Sequence, residues 1–207
     1  MISKNEFLKQ KAVEILKDRV ENRIISLGEI APNVKVKTFS NETVSLFDLL
    51  KNNHLILSFM RGSWWPYCRG ELEVLKGLGG YFNQVNGKVA VVTREEIEES
   101  TFVGKGAKLF DIKPEDVIMI SDPKNELGKL LNLTYIAMDE IKSIYKELGL
   151  DEEIEGYFDT SELNVPATFI LTQNEGRIIY KYGKRDVSNR APGGDLLDTL
   201  LKLRGPK

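Results

Sequence analysis

Leu55-Ile56-Leu57-Ser58-Phe59-Met60-Arg61-Gly62-Ser63-Trp64-Trp65-Pro66-Tyr67-Cys68-Arg69-Gly70-Glu71 is the stretch that decides the fold. Its first six residues are almost continuously apolar, as expected of a central strand covered on both faces. Pro66 suits the first position of a helix, where its missing N–H costs nothing. The spacing therefore predicts a helix from Pro66 to about Tyr81 that buries Leu72, Leu75, Leu78 and Phe82. A buried strand, a short loop and a helix form one half of a βαβ unit, with the loop at the strand's carboxyl end, where such folds carry chemistry.

The same alternation extends outward. Val34–Phe39 alternates with period two, and Thr43–Ser45 reads as a short partner before a turn of helix at Leu46–Leu50. Val89–Val92 and Val117–Ile120 read as further buried strands, with residues 94–110 between them an irregular helix interrupted by Gly104 and Gly106. Asp122-Pro123 has the pattern of an N-cap followed by proline at the first helical position. Residues 134 to 164 form an acidic, partly helical insertion. Ala167–Thr172 and Arg177–Tyr182 then flank Gln173-Asn174-Glu175-Gly176 as a hairpin, and a leucine-rich helix closes the chain from about Asp195 to Leu203. The expected fold is α/β, a sandwich with a central mixed sheet.

At the other end, Ser3-Lys4-Asn5-Glu6 is a capping-box pattern. Leu8, Ala12, Leu16, Val20 and Ile24 recur every fourth residue behind it, predicting an amphipathic helix of about five turns ended by Gly28. The chain thus divides into an N-terminal helix over 1–27 and one domain over 28–207.

Of the 207 residues, 29 are basic and 31 acidic, so the formal net charge is −2, and 42% are hydrophobic. That balance fits a globular protein and argues against nucleic acid as a partner, since phosphate binding needs a concentrated basic surface. No run approaches the ~20 apolar residues of a membrane span, and the charged N-terminus lacks an apolar signal core. The reading is cytoplasmic, with neither membrane nor nucleic-acid contact. The acidic runs Glu95–Glu99 (around Ile97) and Asp151–Glu153 lack convergent ligands and a turn glycine, and read as solvated helix faces; no metal is expected. Tyr135, Tyr145 and Tyr157 in the insertion are candidates to shield the site, form a dimer face or pack the core.

There is one cysteine, Cys68, and one histidine, His54. An intramolecular disulfide is excluded, and His54, opening a strand after Asn52-Asn53, reads as structural. Cys68 falls in the first turn of the helix begun by Pro66, where orphan N–H groups and the helix dipole favour an anion. Arg61 and Arg69 add positive charge. Such an environment lowers a thiol's pKa and makes it nucleophilic.

Arg-Gly-x-Trp, then a Pro-Tyr-Cys run with Glu three residues later, resembles the peroxiredoxin-like branch of the alkyl hydroperoxide reductase/thiol-specific antioxidant family, within the thioredoxin-like superfamily. Gly28-Glu29-Ile30-Ala31-Pro32, Ser121-Asp122-Pro123, Val165-Pro166-Ala167-Thr168-Phe169-Ile170 and the acidic insertion share the resemblance. It implies a thioredoxin-like sandwich with an extra N-terminal helix and a helical insertion before a cis-proline strand. Trp65 replaces the leading cysteine of the family's Cys-Pro-Tyr-Cys, which disarms thioredoxin-type exchange. In the peroxiredoxin pattern Thr-x-x-Cys, Cys68 is the peroxide-attacking residue and Trp65 stands at the threonine. Where peroxiredoxins carry an arginine, this chain has Pro166 after Val165, and that X-Pro bond is the candidate for a cis peptide. Whether Trp65 is a natural loss, a misread selenocysteine codon or an engineered change is open.

The resemblance implies a one-cysteine thiol peroxidase without metal or organic cofactor. Its substrate is a peroxide and its reductant an external thiol, thioredoxin-like or of low molecular weight; a homodimer is allowed. Cys68 is the expected nucleophile, Arg61 steadies charge, and Glu71 orients Arg61 or another polar partner. Trp65, Pro66, Tyr67, Val165 and Pro166 line the pocket. Two alternatives stay open: a degenerate thioredoxin-fold binding protein with Trp65 filling the site, and a thiol-disulfide exchanger working through mixed disulfides.

Overall fold

The computed structural model describes residues 3–16, 24–62, 65–95, 117–136, 139–149, 162–184 and 186–203. Trp64, Tyr157, Asp151–Glu153 and the expected irregular helix beyond Glu95 lie outside them.

Nine strands are described, β1 (Lys35–Thr38), β2 (Thr43–Ser45), β3 (His54–Phe59), β4 (Gly87–Thr93), β5 (Ile118–Ser121), β6 (Thr134–Ile136), β7 (Glu162–Asn164), β8 (Ala167–Leu171) and β9 (Ile178–Gly183). Seven of them make one mixed sheet in the order β2-β1-β5-β4-β3-β8-β9. β3 is parallel to β4, which is parallel to β5, and antiparallel to β8. Central placement explains why β3 reads as a continuous apolar run: Leu55 to Phe59 are all buried. The helices are α1 (Lys4–Leu16), α2 (Pro66–Gln84), α3 (Glu126–Leu130), α4 (Asp139–Glu147) and α5 (Gly193–Leu203). α2 packs on β4 and on α5. β6 and β7, from the insertion, pair outside the main sheet. None of the described helices is long and apolar enough to cross a membrane.

Three local expectations need correction. α1 buries Leu8 and Ala12 and has Ser3 Oγ accepting from the Glu6 N–H, but the chain is no longer helical at Ile24. There the Ile25 N–H donates to Leu131 O and Ile24 packs into the domain core, so tertiary contacts replace the helical ladder. Pro123 does not open α3. The N-cap is Asn125 in the left-handed conformation, and Asp122 caps from further back, accepting from the Glu126 and Gly128 N–H groups at 2.7 and 3.1 Å. Glu95 is buried rather than solvated and accepts from Thr93 Oγ1 at 3.0 Å. His54 is structural, its Nδ1 accepting from the Gln173 N–H.

Candidate active site

α2 starts where β3 ends, with Pro66 at its first position and Trp65 as N-cap. The cap has no side-chain hydrogen bond; the Trp65 carbonyl accepts from the Cys68 and Arg69 N–H groups instead. Cys68 therefore sits in the first turn, as the sequence implies, but its burial is complete. Sγ receives two hydrogen bonds, from the Arg61 backbone N–H at 3.4 Å and from Arg190 Nη2 at 3.2 Å. Neither comes from Arg69.

Arg190 is the residue the sequence reading missed. It lies in Asn189-Arg190-Ala191-Pro192, the loop leading into α5, 122 positions from Cys68. Its Nε is 2.8 Å from Glu71 Oε2, and its Nη1 donates to the carbonyls of Val187 and Asn189. Glu71, one turn beyond Cys68, also accepts from Ser58 Oγ (2.8 Å) and Thr168 Oγ1 (2.9 Å). Of the two partners expected for Glu71, Arg61 or another polar group, the structure has the second: Glu71 holds Arg190. The antiparallel register of β3 on β8 puts Ser58 opposite Thr168, so both hydroxyls meet the carboxylate under the helix.

Arg61 is also fully buried, but its neighbours are neutral. Nη1 donates to Tyr145 Oη (2.8 Å) and Nη2 to Tyr135 Oη (3.0 Å), while the guanidinium lies 4.9 Å from the ring centroids of both Trp65 and Tyr145. The indole packs further on Tyr67 and Tyr145. Tyr67 and Pro66 face outward, Tyr67 bonded to Lys9 Nζ of α1 at 2.9 Å. Val165 and Pro166 are buried just before β8, and Asn164 Nδ2 donates to Met60 O, tying that loop to the end of β3. Every described peptide bond is trans, so the expected cis bond at Val165–Pro166 is absent. The Val165 N–H donates to Leu133 O, just ahead of β8.

Burial pushes the Cys68 thiol above its ordinary pKa; the Arg190 charge and the Arg61 N–H offset only part of that. The helix terminus anticipated from the sequence is present, but the cation on the sulfur is Arg190 rather than Arg61 or Arg69, and desolvation of the charged form outweighs it. Burial likewise raises Glu71, against Arg190 and the two hydroxyls.

A cavity of about 200 Å³ opens on the far side of Trp65 and Tyr145, walled by Ala12, Val13 and Lys9 of α1, by Leu148 and by Val187. A larger one, about 450 Å³, lies between β1 and α3, and no residue of the Cys68 network lines it.

A sequence profile described as the AhpC/TSA family matches residues 27–181. The chain belongs to the AhpC/TSA family. Solved structures similar to this AhpC/TSA protein include peroxidoxin BcpB from Mycobacterium tuberculosis (14% identity, 87% of this chain and 99% of that one, TM-score 0.63). Reduced Prx3 from Vibrio vulnificus in complex with hydrogen peroxide matches at 14% identity over 88% and 100% of the two chains, TM-score 0.65. A yeast mitochondrial 1-Cys peroxiredoxin matches at 14% over 87% and 77%, TM-score 0.63. At such identities the likeness establishes a peroxiredoxin-like, thioredoxin-superfamily fold for this AhpC/TSA chain and nothing finer. A comparison with curated protein sequences gives no match.

Proposed function

We propose that the protein is a one-cysteine, thiol-dependent peroxidase that reduces hydrogen peroxide or organic hydroperoxides in the cytoplasm, using Cys68. One observation carries this reading. The Arg190 guanidinium touches Sγ at 3.2 Å while Glu71 anchors it at 2.8 Å. A cation fixed on a sulfur by a buried carboxylate is built to hold the thiolate and the oxyanion that leaves it.

The chemistry balances as follows. Cys68 sulfur forms a bond to one peroxide oxygen as the O–O bond breaks. The departing alkoxide or hydroxide takes up the proton the thiol gave, and the sulfur becomes a sulfenic acid. One external thiol condenses with it, releasing water and leaving a mixed disulfide. A second thiol displaces that disulfide and restores the Cys68 thiol. With a single cysteine no internal resolution exists, so the reductant is external, a thioredoxin-like protein or a small thiol. Arg61, whose backbone N–H lies on the sulfur at 3.4 Å, steadies charge, while Trp65, Pro66, Tyr67, Val165 and Pro166 shape the surroundings. The cavity beyond Trp65 is the entry side, and opening the indole toward it admits peroxide.

The test is the intact mass of the protein after a stoichiometric peroxide pulse with a sulfenate trap. One adduct per chain, absent in Cys68→Ser, supports the peroxidase. A free thiol with no adduct refutes it. Complete burial of Cys68 favours the second reading, a non-catalytic binding protein, and that second outcome is what it expects.

A further inference from the structure

One guanidinium serves two acids. Arg190 Nε lies 2.8 Å from Glu71 Oε2, its Nη2 donates to Cys68 Sγ at 3.2 Å, and its Nη1 is taken up by the Val187 and Asn189 carbonyls. A single positive charge neutralises one anion, so Glu71 and Cys68 compete for it. Arg61 reaches the sulfur through its backbone N–H, while its guanidinium is bonded to the Tyr145 and Tyr135 hydroxyls.

The two acids differ in what else surrounds them. Leu55–Met60 and Ala167–Leu171 are apolar runs with one polar residue each, Ser58 and Thr168. The register of β3 on β8 sets these two opposite each other, and both are buried. A buried hydroxyl is costly without a hydrogen bond. Both donate to the same atom, Glu71 Oε1, at 2.8 and 2.9 Å. Glu71 is thus met by donors on both oxygens, two hydroxyls on Oε1 and on Oε2 a guanidinium that can only donate. A proton on Oε2 would face the Arg190 N–H, and one on Oε1 would oblige a hydroxyl to accept instead of donating. Donors of this kind bind an ionised carboxylate more strongly than a neutral one. Besides Arg190, Cys68 Sγ has the one backbone N–H of Arg61.

We infer that Ser58 and Thr168 are positioning residues that make Glu71, rather than Cys68, the resting anion of Arg190, so that Cys68 keeps its proton until peroxide reacts. The two hydroxyls favour the ionised carboxylate against the burial that opposes it. The sulfur then stores the proton that the departing oxygen takes up. Without the hydroxyls the competition tips the other way. Glu71 takes a proton, Arg190 is left to the sulfur, and the thiolate gains. As a device of catalysis this rests on the peroxidase reading, but its test reads ionisation and needs no turnover.

The experiment is a pH titration of Cys68, followed by far-ultraviolet thiolate absorbance and by the rate of alkylation with iodoacetamide. Wild type is compared with Ser58→Ala/Thr168→Val, with Glu71→Gln and with the triple variant, each with its Cys68→Ser counterpart as blank. The double variant should titrate at least about one unit lower than wild type, tenfold more thiolate at a given neutral pH. The triple variant should titrate with Glu71→Gln, because the hydroxyls act only through the carboxylate. An unmoved or raised midpoint in the double variant overturns the inference. So does an equal fall when the hydroxyls are removed from Glu71→Gln, which would show that they act on the sulfur by another route. Should the double variant fail to fold, Thr168→Val alone, which keeps the shape of the side chain, must lower the midpoint, and an unmoved one overturns the inference equally. A peroxidase-negative wild type would sink the functional reading and leave this assignment of the proton standing.

Discussion

Arg190 and Glu71 approach to 2.8 Å beside Cys68, with side chains 12% and 4% exposed, so the cation on the sulfur is largely withdrawn from water and its counter-ion is buried. Removing one member of such a pair strands the other. Arg190→Leu should cost roughly 3–5 kcal/mol of stability, because the Glu71 carboxylate is left without a cation in a buried site. Urea denaturation measures it. A loss under ~1 kcal/mol would show that water replaces the guanidinium.

Glu71→Gln tests the same pair from the other side. The amide keeps hydrogen-bonding capacity toward Ser58 and Thr168 but no longer cancels the Arg190 charge. The Cys68 thiol should become more acidic than in wild type, since Glu71 raises it electrostatically. Alkylation near neutral pH then accelerates. A slower reaction would mean that Arg190 drifts off the sulfur once its anchor is weakened.

Part of this is legible in the sequence itself. The Leu55–Met60 run, Pro66 and the Cys68–Glu71 spacing placed strand, helix and thiol correctly, because each is a local signal of periodicity or capping. Arg190 was not legible. Nothing in Val187-Ser188-Asn189-Arg190-Ala191-Pro192 distinguishes that arginine from Arg69, which stands beside Cys68 in sequence yet gives its sulfur no hydrogen bond. Contacts across 122 positions are decided by strand order and register, here by the placing of Ser58 against Thr168 and of the α5 entry loop over the first turn of α2. The acidity of the thiol was misjudged for a related reason. A helix N-terminus can be read from Pro66, but complete burial of Sγ depends on everything packed above it.

That burial has a pH signature. Cys68 has a folded pKa above its ordinary value of 9.0, so the folded chain keeps its thiol proton longer than the unfolded chain does. Stability from this group is full below about pH 9 and falls as pH rises through the raised folded value. Tyr135, raised in the same direction, adds to the fall. Thermal midpoints should therefore drop more steeply on the alkaline side in wild type than in Cys68→Ser. Parallel alkaline limbs would show that the thiol ionises as freely folded as unfolded.

Trp65 occupies the position on which the mode of recycling turns. It is the N-cap and Cys68 the third residue of α2, a spacing that brings side chains about 5–6 Å apart at their Cβ atoms. A disulfide bridges Cα atoms some 4.4–6.8 Å apart, so Trp65→Cys needs little backbone movement to reach Cys68. Oxidised by peroxide, which takes the two electrons, the variant should form a reversible disulfide, seen as the loss of two hydrogen atoms in the intact mass that a dithiol reverses. It should also gain turnover on disulfide substrates, which wild type lacks because it cannot resolve a mixed disulfide within the chain. Loss of the indole also removes one of the two rings stacked on Arg61, so some destabilisation accompanies the gain. If Cys68→Ser abolishes peroxide reduction while Trp65→Cys only changes how the oxidised enzyme is recycled, the chemistry belongs to Cys68. Peroxide turnover that survives Cys68→Ser would make Cys68 a bystander and defeat the assignment.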